Sequence, residues 1–183
     1  MTDDGGVSTP TARVLAQVQA EPLSLDAALA AVRDERAGGV VAFIGTVRDH
    51  DGGRSGVTAL TYSAHPQAQQ ILCAVAERVS DLPGVCRVAA VHREGQLSVG
   101  DLAVLCVVSA EHRPEAFEGA RRLIEELKAT VPIWKDQAFA DGDPENTAVW
   151  FGEAAGLIDA VEPAATIIER MMTDAAHPRR SST

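Results

Sequence analysis

The chain has 183 residues and a formal net charge of −10, with 46% hydrophobic and 23% charged residues. This length suits one domain with a sizeable core, and the composition is that of an ordinary globular protein. The acidic balance argues against a nucleic-acid partner, which normally requires a basic face. No apolar run reaches the roughly 18 residues of a membrane span, and the acidic start at Asp3 and Asp4 is unlike a signal peptide. We therefore expect no membrane partner and a cytoplasmic location.

Composition along the chain predicts a leader, one domain and an extension. Residues 1–21 are small, polar and weakly patterned, which predicts a flexible leader. The apolar patterns that indicate a folded domain occupy residues 22–153. Residues 154–183 form a C-terminal extension, for which we predict one helix over 163–172 followed by a polar tail.

The domain begins with a predicted helix and a predicted buried strand. Ser24 precedes the amphipathic run 25–32, and because serine is a favoured N-cap residue, we predict a helix there. Residues 40–47 are nearly all apolar, as in a buried strand, and a polar, glycine-rich loop follows over 48–56. Residues 57–62 alternate apolar and polar side chains, which predicts a second strand, antiparallel to the first.

The next segments predict a helix over 65–80 and strands over 85–92 and 102–110. Strands and helices alternate, but connections of hairpin length dominate around 48–57 and 93–101. The pattern therefore favours an α+β fold with a mainly antiparallel sheet and packed helices over a doubly wound parallel sheet.

A long helix closes the predicted core. It begins near Pro114, because proline is favoured in the first helical turn, and continues to about residue 130. Short extended segments follow at 137–139 and 147–151. The apolar spacing of the helix predicts one buried stripe, made of Phe117, Ala120, Leu123, Ile124 and Leu127.

Lysine is used at only two positions in this chain. Of 16 Lys and Arg residues, 14 are arginines, and the two lysines, Lys128 and Lys135, flank the apolar segment 131–134. A lysine amine can lose its proton and act as a nucleophile or a base, which an arginine guanidinium does not do. The pair therefore indicates a reacting centre; codon bias and chance are the alternative explanation.

Two further polar clusters follow strongly apolar elements. Thr46, Val47 and Arg48 end the first predicted strand, and His112 and Arg113 begin the long helix. A helix N-terminus favours an anion through its free N–H groups, and a guanidinium binds phosphate or carboxylate through two parallel hydrogen bonds. The clusters indicate an anion-binding site. In the alternative interpretation, His112 caps the helix and Arg113 is a solvated charge.

The three cysteines are scattered along the chain at Cys73, Cys86 and Cys106. Their spacing fits neither a disulfide framework nor a metal-ligand motif, so we expect three small buried hydrophobic side chains. We expect no metal site and no bound cofactor.

Four ordered segments carry a family resemblance. Residues 39–50 match the pattern GAxxxFxGxVRxH, and residues 91–101 match HRxGxLxxGD. Residues 109–117 follow SxHRxxAF, and residues 127–135 follow LKxxxPxWK. Together they resemble the catalytic, large subunit of molybdopterin synthase, the MoaE family, over about residues 24–151. The resemblance implies that family's α/β-hammerhead-like fold.

The resemblance also implies a reaction and its partners. A small ubiquitin-like sulfur-carrier subunit with a thiocarboxylated Gly-Gly C-terminus would donate sulfur to cyclic pyranopterin monophosphate. The product would be the molybdopterin dithiolene, in molybdenum cofactor biosynthesis, made by a homodimer of large subunits within a heterotetramer. The implied catalytic residues are Lys128 and Lys135, and the implied substrate-binding residues are Thr46, Val47, Arg48, His112, Arg113, Asp136 and Gln137.

Two departures from the family pattern leave alternatives open. Ser63 stands where the family often has an acid, and an arginine that members can carry after the Trp150 position is not evident in residues 151–154. One alternative is a non-catalytic paralogue that binds a Gly-Gly tail. Another is a phosphate-ester enzyme that uses Arg48, His112 and Arg113 without any protein partner.

Overall fold

The structure is a computed structural model, and all of its described residues lie within the first of two units, Met1–Glu153. The helix predicted over 163–172 lies outside the described residues, as does the first part of the predicted leader. The structure describes residues 13–51, 54–139 and 148–149.

Three helices and ten strands occur in the part of the chain that the structure describes. The helices are α1 (Leu25–Ala31), α2 (Ala68–Ser80) and α3 (Arg113–Thr130). The strands are β1 (Val14–Gln19), β2 (Gly39–Thr46), β3 (His50–Asp51), β4 (Arg54–Ser55), β5 (Val57–Ala64), β6 (Val85–Arg93), β7 (Gly95–Leu97), β8 (Leu102–Ala110), β9 (Ile133–Phe139) and β10 (Ala148–Val149).

Two four-stranded sheets form the framework. The first sheet has the strand order β1-β6-β8-β2, and the second has the order β10-β9-β5-β7. Strands β3 and β4 make a separate two-stranded hairpin. The β1–β6 pair is parallel, and every other pair among the described strands is antiparallel. The prediction of an α+β fold with mainly antiparallel pairing is confirmed.

Strand β1 corrects the predicted leader. We expected a flexible segment up to residue 21, but residues 14–19 pair along β6. The other edge of β1 is covered by the Gln69 side chain, whose Oε1 accepts from Val18 N at 2.8 Å and whose Nε2 donates to Ala16 O at 2.8 Å. The strand is therefore stabilised by long-range hydrogen bonds, which a weak local pattern does not reveal.

The partner predicted for β5 is also wrong. We expected β5 to run antiparallel beside β2, but β2 pairs with β8 and β5 pairs with β9 in the second sheet. Strand β9 begins at Ile133, earlier than the extended segment predicted at 137–139. Only Val131 and Pro132 separate the end of α3 from the start of β9.

Helices cover both faces of the first sheet. Helices α2 and α3 pack on one face around Leu72, Leu123 and Val108, and α1 packs on the other face. The predicted N-cap of α1 is confirmed, because Ser24 Oγ accepts from Ala27 N at 3.2 Å. No helix in the described ranges is long and apolar enough to cross a bilayer.

The predicted buried stripe of α3 is correct except at one end. Ala120, Leu123 and Leu127 are buried, and Ile124 is half-buried, but Phe117 is 64% exposed. Phe117 lies one helical turn after the first residue of α3, which is beside β2. Because β2 is the last strand of its sheet among the strands that the structure describes, none of them covers this ring.

Candidate active site

A cavity of about 390 Å³ lies where the ends of the first sheet meet the second sheet and the last turn of α3. The ends of β2 and β6 and the start of β8 form one side, and β5 and β9 form another. The sequence-predicted site residues that line it are Thr46, Val47, Arg48, Lys128, Lys135 and Gln137.

The two lysines reach this cavity from different elements. Lys128 is exposed in the last turn of α3, and Lys135 is buried on β9, 7% exposed. The helix ends where Val131 N donates to Leu127 O at 3.0 Å, and β9 begins two residues later, at Ile133. This short connection brings both amines to one cavity although six residues lie between them.

The end of β2 positions Arg48 and its neighbours. Val47 N donates to Asp101 O at 3.0 Å, and Gly100 N donates to Val47 O at 2.9 Å, so the backbone is fixed beside the β7–β8 turn. Val47 is buried, and Arg48 is exposed at the cavity. A Cβ at Gly45 would lie 2.5 Å from Val104 Cγ1, so only glycine fits this close approach.

The cavity is basic. Arg48, Lys128 and Lys135 line it, and none of the described lining residues is an aspartate or a glutamate. Apolar side chains from α3, its C-terminal turn and β9 make up much of the wall, so water is partly excluded and charges interact more strongly than in bulk solvent. Such a cavity attracts an anion.

Asp136 does not line this cavity. It is exposed between Lys135 and Gln137, and successive side chains of a strand point to opposite faces. Because side chains alternate along β9, Lys135 and Gln137 point into the cavity and Asp136 points away from it. Asp136 was predicted to bind substrate, but within one chain it does not reach this cavity.

His112 and Arg113 lie at the other end of the sheet. A Cβ at Gly39 would lie 3.5 Å from Arg113 Cα, so α3 begins beside the first residue of β2. Arg113 and Lys128 are separated by 15 residues of helix, about 22 Å. His112 and Arg113 are both exposed, and neither of these two residues lines the cavity. The expectation that all predicted groups converge within one chain is wrong for this pair.

Sequence reasoning missed two aromatic groups of the cavity. Tyr62 on β5 and His92 on β6 both line it, with ring centroids 5.0 Å apart in an edge-to-face arrangement. Tyr62 stands directly opposite Lys135 in the β5–β9 register. The signal that could have found His92 is its place in the 91–101 motif.

Cysteine chemistry does not contribute to this cavity. Cys106 lies behind its wall with no exposed surface, and burial raises the pKa of its thiol to about 12, against the opposing charge of Lys128. A thiol with this pKa is not a nucleophile at neutral pH. Cys86 is also buried, whereas Cys73 is half-buried on α2, less than we expected.

Comparison with known proteins decides the family. A family model described as MoaE protein matches residues 18–130, more than half of the chain. The chain belongs to the MoaE family. A relative named molybdopterin synthase catalytic subunit 1, from Mycobacterium tuberculosis, is 45% identical over 134 residues, which cover 73% of this chain and 87% of the relative.

Solved MoaE-family structures show the same architecture. The molybdopterin synthase structure from Staphylococcus aureus matches with a TM-score of 0.65 and 32% identity, covering 75% of this chain and 96% of that one. A protein–protein complex of subunits 1 and 2 of the molybdopterin-converting factor from Helicobacter pylori matches with a TM-score of 0.59 and 22% identity, covering 80% and 99%. That second likeness concerns the fold.

MoaE membership confirms the family and enzyme class predicted from the four motifs. The chain is of the molybdopterin synthase catalytic-subunit type, a sulfurtransferase of molybdenum cofactor biosynthesis. Its matched region, 18–130, contains Lys128 and ends before Lys135.

Proposed function

We propose that the chain transfers sulfur from the thiocarboxylated Gly-Gly terminus of a small ubiquitin-like subunit to cyclic pyranopterin monophosphate. One observation carries this proposal: the only two lysines of the chain, Lys128 and Lys135, share one basic cavity with Arg48. Both the thiocarboxylate and the cyclic phosphate are anions, so one site of this charge suits both. We place the reaction in the cytoplasm, in line with three free thiols.

The exposures of the two lysines suggest different roles. Lys128 is exposed, so it meets and steers the incoming thiocarboxylate. The thiocarboxylate sulfur bonds to a carbon of the pterin precursor, and the bond from that carbon to a phosphate oxygen breaks as the cyclic phosphate opens. The acyl carbon–sulfur bond is then broken by water, or first by the Lys128 amine, which would hold the acyl group as an amide that water hydrolyses. Lys135 is buried beside Tyr62, so it acts as an acid or base, or positions the pterin.

The apolar wall contributes to the same reaction. Leu127, Val131 and Ile133 are buried around the lysines. They leave little room for bulk water, so the charge that develops as the cyclic phosphate opens is stabilised by Arg48 at low dielectric.

His112 and Arg113 join the site through a second copy of the chain. Strand β2 is an edge strand whose Val40, Phe43 and Ile44 are exposed, and the exposed Phe117 lies beside it. An open strand edge with apolar side chains on both faces is a surface for protein association. A two-fold symmetric contact centred on β2 covers this surface on both copies at once.

Such a contact completes the predicted phosphate site. The start of β2, with Arg113 beside it, and the end of β2, with Arg48 beyond it, lie about 23 Å apart along the strand. A two-fold axis through the middle of β2 places the start of one strand near the end of the other. Arg113 of one copy then approaches Arg48 and Lys128 of its partner, which accounts for the separation seen within one chain.

Arg113→Ala is expected to raise KM for the pterin precursor more than it lowers kcat. Loss of a charge-assisted hydrogen bond costs about 1.5–3 kcal/mol, which corresponds to roughly 10- to 100-fold in KM. The measurement is a steady-state titration of precursor at saturating small subunit. Arg121→Ala, on the exposed face of the same helix, is the matched control and should leave KM unchanged. A lower kcat at unaltered KM would assign Arg113 to the chemistry instead.

Reconstitution tests the proposed function itself. The full chain is mixed with a thiocarboxylated small subunit and the precursor, and the product is followed as the fluorescent oxidised pterin. Product that depends on the thiocarboxylate supports sulfur transfer. Tail binding without product would identify a non-catalytic paralogue, and phosphate-ester cleavage without the small subunit would identify the other alternative. The departure at Ser63 lies outside the described lining of the cavity, opposite Trp134 on the strand pair, so it removes no lining group from the site.

A further inference from the structure

His92 lines the lysine cavity, yet the mechanism above gives it no part. It lies near the end of β6 and is buried, 7% exposed. Its Nδ1 lies 2.8 Å from the carbonyl oxygen of Arg93, and because a carbonyl oxygen only accepts, Nδ1 carries the proton of this hydrogen bond. In the neutral ring Nε2 is therefore the bare nitrogen, able to accept a proton.

Neighbouring groups fix the orientation of this ring. Tyr62 contacts it edge-to-face at an interplanar angle of 86°. Tyr62 is also the direct cross-strand partner of Lys135, so one tyrosine contacts the imidazole and stands opposite the buried lysine. On the first sheet, Val104 stands opposite His92 and also lines the cavity. The imidazole is therefore held on both sides, as a group that transfers a proton must be.

The step that releases sulfur from the small subunit requires a proton acceptor of its own. Sulfur leaves the partner's acyl carbon only after a nucleophile attacks that carbon, and an attacking water must lose a proton. None of the described lining residues is a carboxylate. Among the ionisable side chains, imidazole has the ordinary pKa that lies nearest to neutral pH. The charged and titratable groups that share the cavity with His92 are Arg48, His50, Tyr62, Lys128 and Lys135.

Resting on the proposed function, we propose that His92 is the proton acceptor of the step that releases sulfur from the small subunit. The oxygen of water bonds to the acyl carbon of the thioester, and Nε2 of His92 takes one proton from that water. The acyl carbon–sulfur bond breaks, and its electron pair stays on the sulfur, which remains on the pterin as a thiolate. The carboxylic acid left on the small subunit loses the second proton to solvent.

Burial favours this role. It lowers the pKa of the His92 imidazole below its ordinary value, and the hydrogen bond to Arg93 opposes that shift. The ring is therefore neutral at neutral pH and becomes protonated only on the acid side of about pH 6.5. Since a protonated ring accepts nothing, kcat of the wild-type enzyme should fall as the pH falls through the lowered pKa.

His92→Asn tests the proposal in the reconstituted full-chain complex. The asparagine amide nitrogen takes the place of Nδ1 and still donates to the Arg93 carbonyl, but Nε2 is gone. We expect kcat to fall about 100-fold, the acid limb of the pH profile to disappear, and the affinity for the small subunit to stay unchanged. His92→Gln, which places an amide nitrogen near the Nε2 position, should give the same loss. His65→Asn, the same change outside the cavity lining, is the control.

The outcomes separate this proposal from the function on which it rests. If the wild-type chain makes no product, sulfur transfer itself is wrong. If the wild-type chain turns over and His92→Asn keeps the wild-type kcat and acid limb, His92 is not the acceptor. An acid limb that His50→Asn removes and His92→Asn retains would assign the role to His50. A wild-type kcat without an acid limb would also overturn the proposal, and this measurement requires no variant to fold.

Discussion

Lys128→Ala is expected to lower the rate of dithiolene formation at least about 1,000-fold, because the variant loses a group that acts directly on the reacting atoms. The affinity for the small subunit should change little. Lys128 is exposed in the last turn of α3, so removing its side chain leaves the packing of the fold intact. The variant lacks the amine that contacts the thiocarboxylate of the small subunit. Single-turnover formation of the oxidised, fluorescent pterin measures the reaction, and a titration of the small subunit measures the affinity.

The charge of Lys128 can be separated from its amine. Lys128→Arg keeps a cation at the same position but presents a planar guanidinium that does not act as a nucleophile. Near-complete loss in this variant would show that the amine itself is required. Recovery of most activity would limit Lys128 to electrostatic steering. Turnover like that of the wild type in Lys128→Ala would remove Lys128 from the mechanism.

Mixing two impaired variants is expected to restore activity if each site is built from two copies of the chain. Lys128→Ala retains Arg113, and Arg113→Ala retains Lys128. A mixed dimer therefore holds one site with both groups intact. If the copies exchange at random, half of the dimers are mixed, and about a quarter of wild-type activity returns. The assay uses precursor below the wild-type KM, where Arg113→Ala alone is nearly silent.

A control mixture of two variants that are both changed in the same cavity should show no restored activity. Lys128 and Lys135 line the same cavity of the same chain. Mixing Lys128→Ala with Lys135→Ala therefore leaves every site with one defect, and no activity should return. Restored activity in this control mixture would contradict the two-fold arrangement about β2. A lack of restored activity in the first mixture, after exchange of the copies has been verified, would also contradict it.

Local patterns in the sequence predicted the elements with long, uniform periodicity. Strand β8 was predicted at 102–110 and lies there, because a run in which eight of nine residues are apolar has few alternatives. Helix α3 begins one residue before the predicted Pro114 and ends at Thr130. Strand pairing could not be predicted in the same way. The place of β5 beside β9 and the pairing of β1 with β6 depend on contacts between distant segments, which leave no local pattern.

The candidate site could be predicted from the sequence only in part. The rarity of lysine marked Lys128 and Lys135, and the short connection between α3 and β9 brings them together. The position of Arg113 was misjudged, because clusters that follow two strands were assumed to meet. In the antiparallel β2–β8 pair, Gly39 lies opposite Ala110, so the segments that follow these strands lie at opposite ends of the sheet. In the proposed arrangement, a second copy of the chain brings these segments together.

A structure of the chain bound to a small subunit with an intact Gly-Gly terminus tests the central claim most directly. The proposal predicts that the last glycine enters the cavity and that its carboxylate lies within hydrogen-bond distance, about 2.7–3.2 Å, of the Lys128 amine. A tail that docks elsewhere, or one that stops outside the cavity in a complex active in solution, would contradict it.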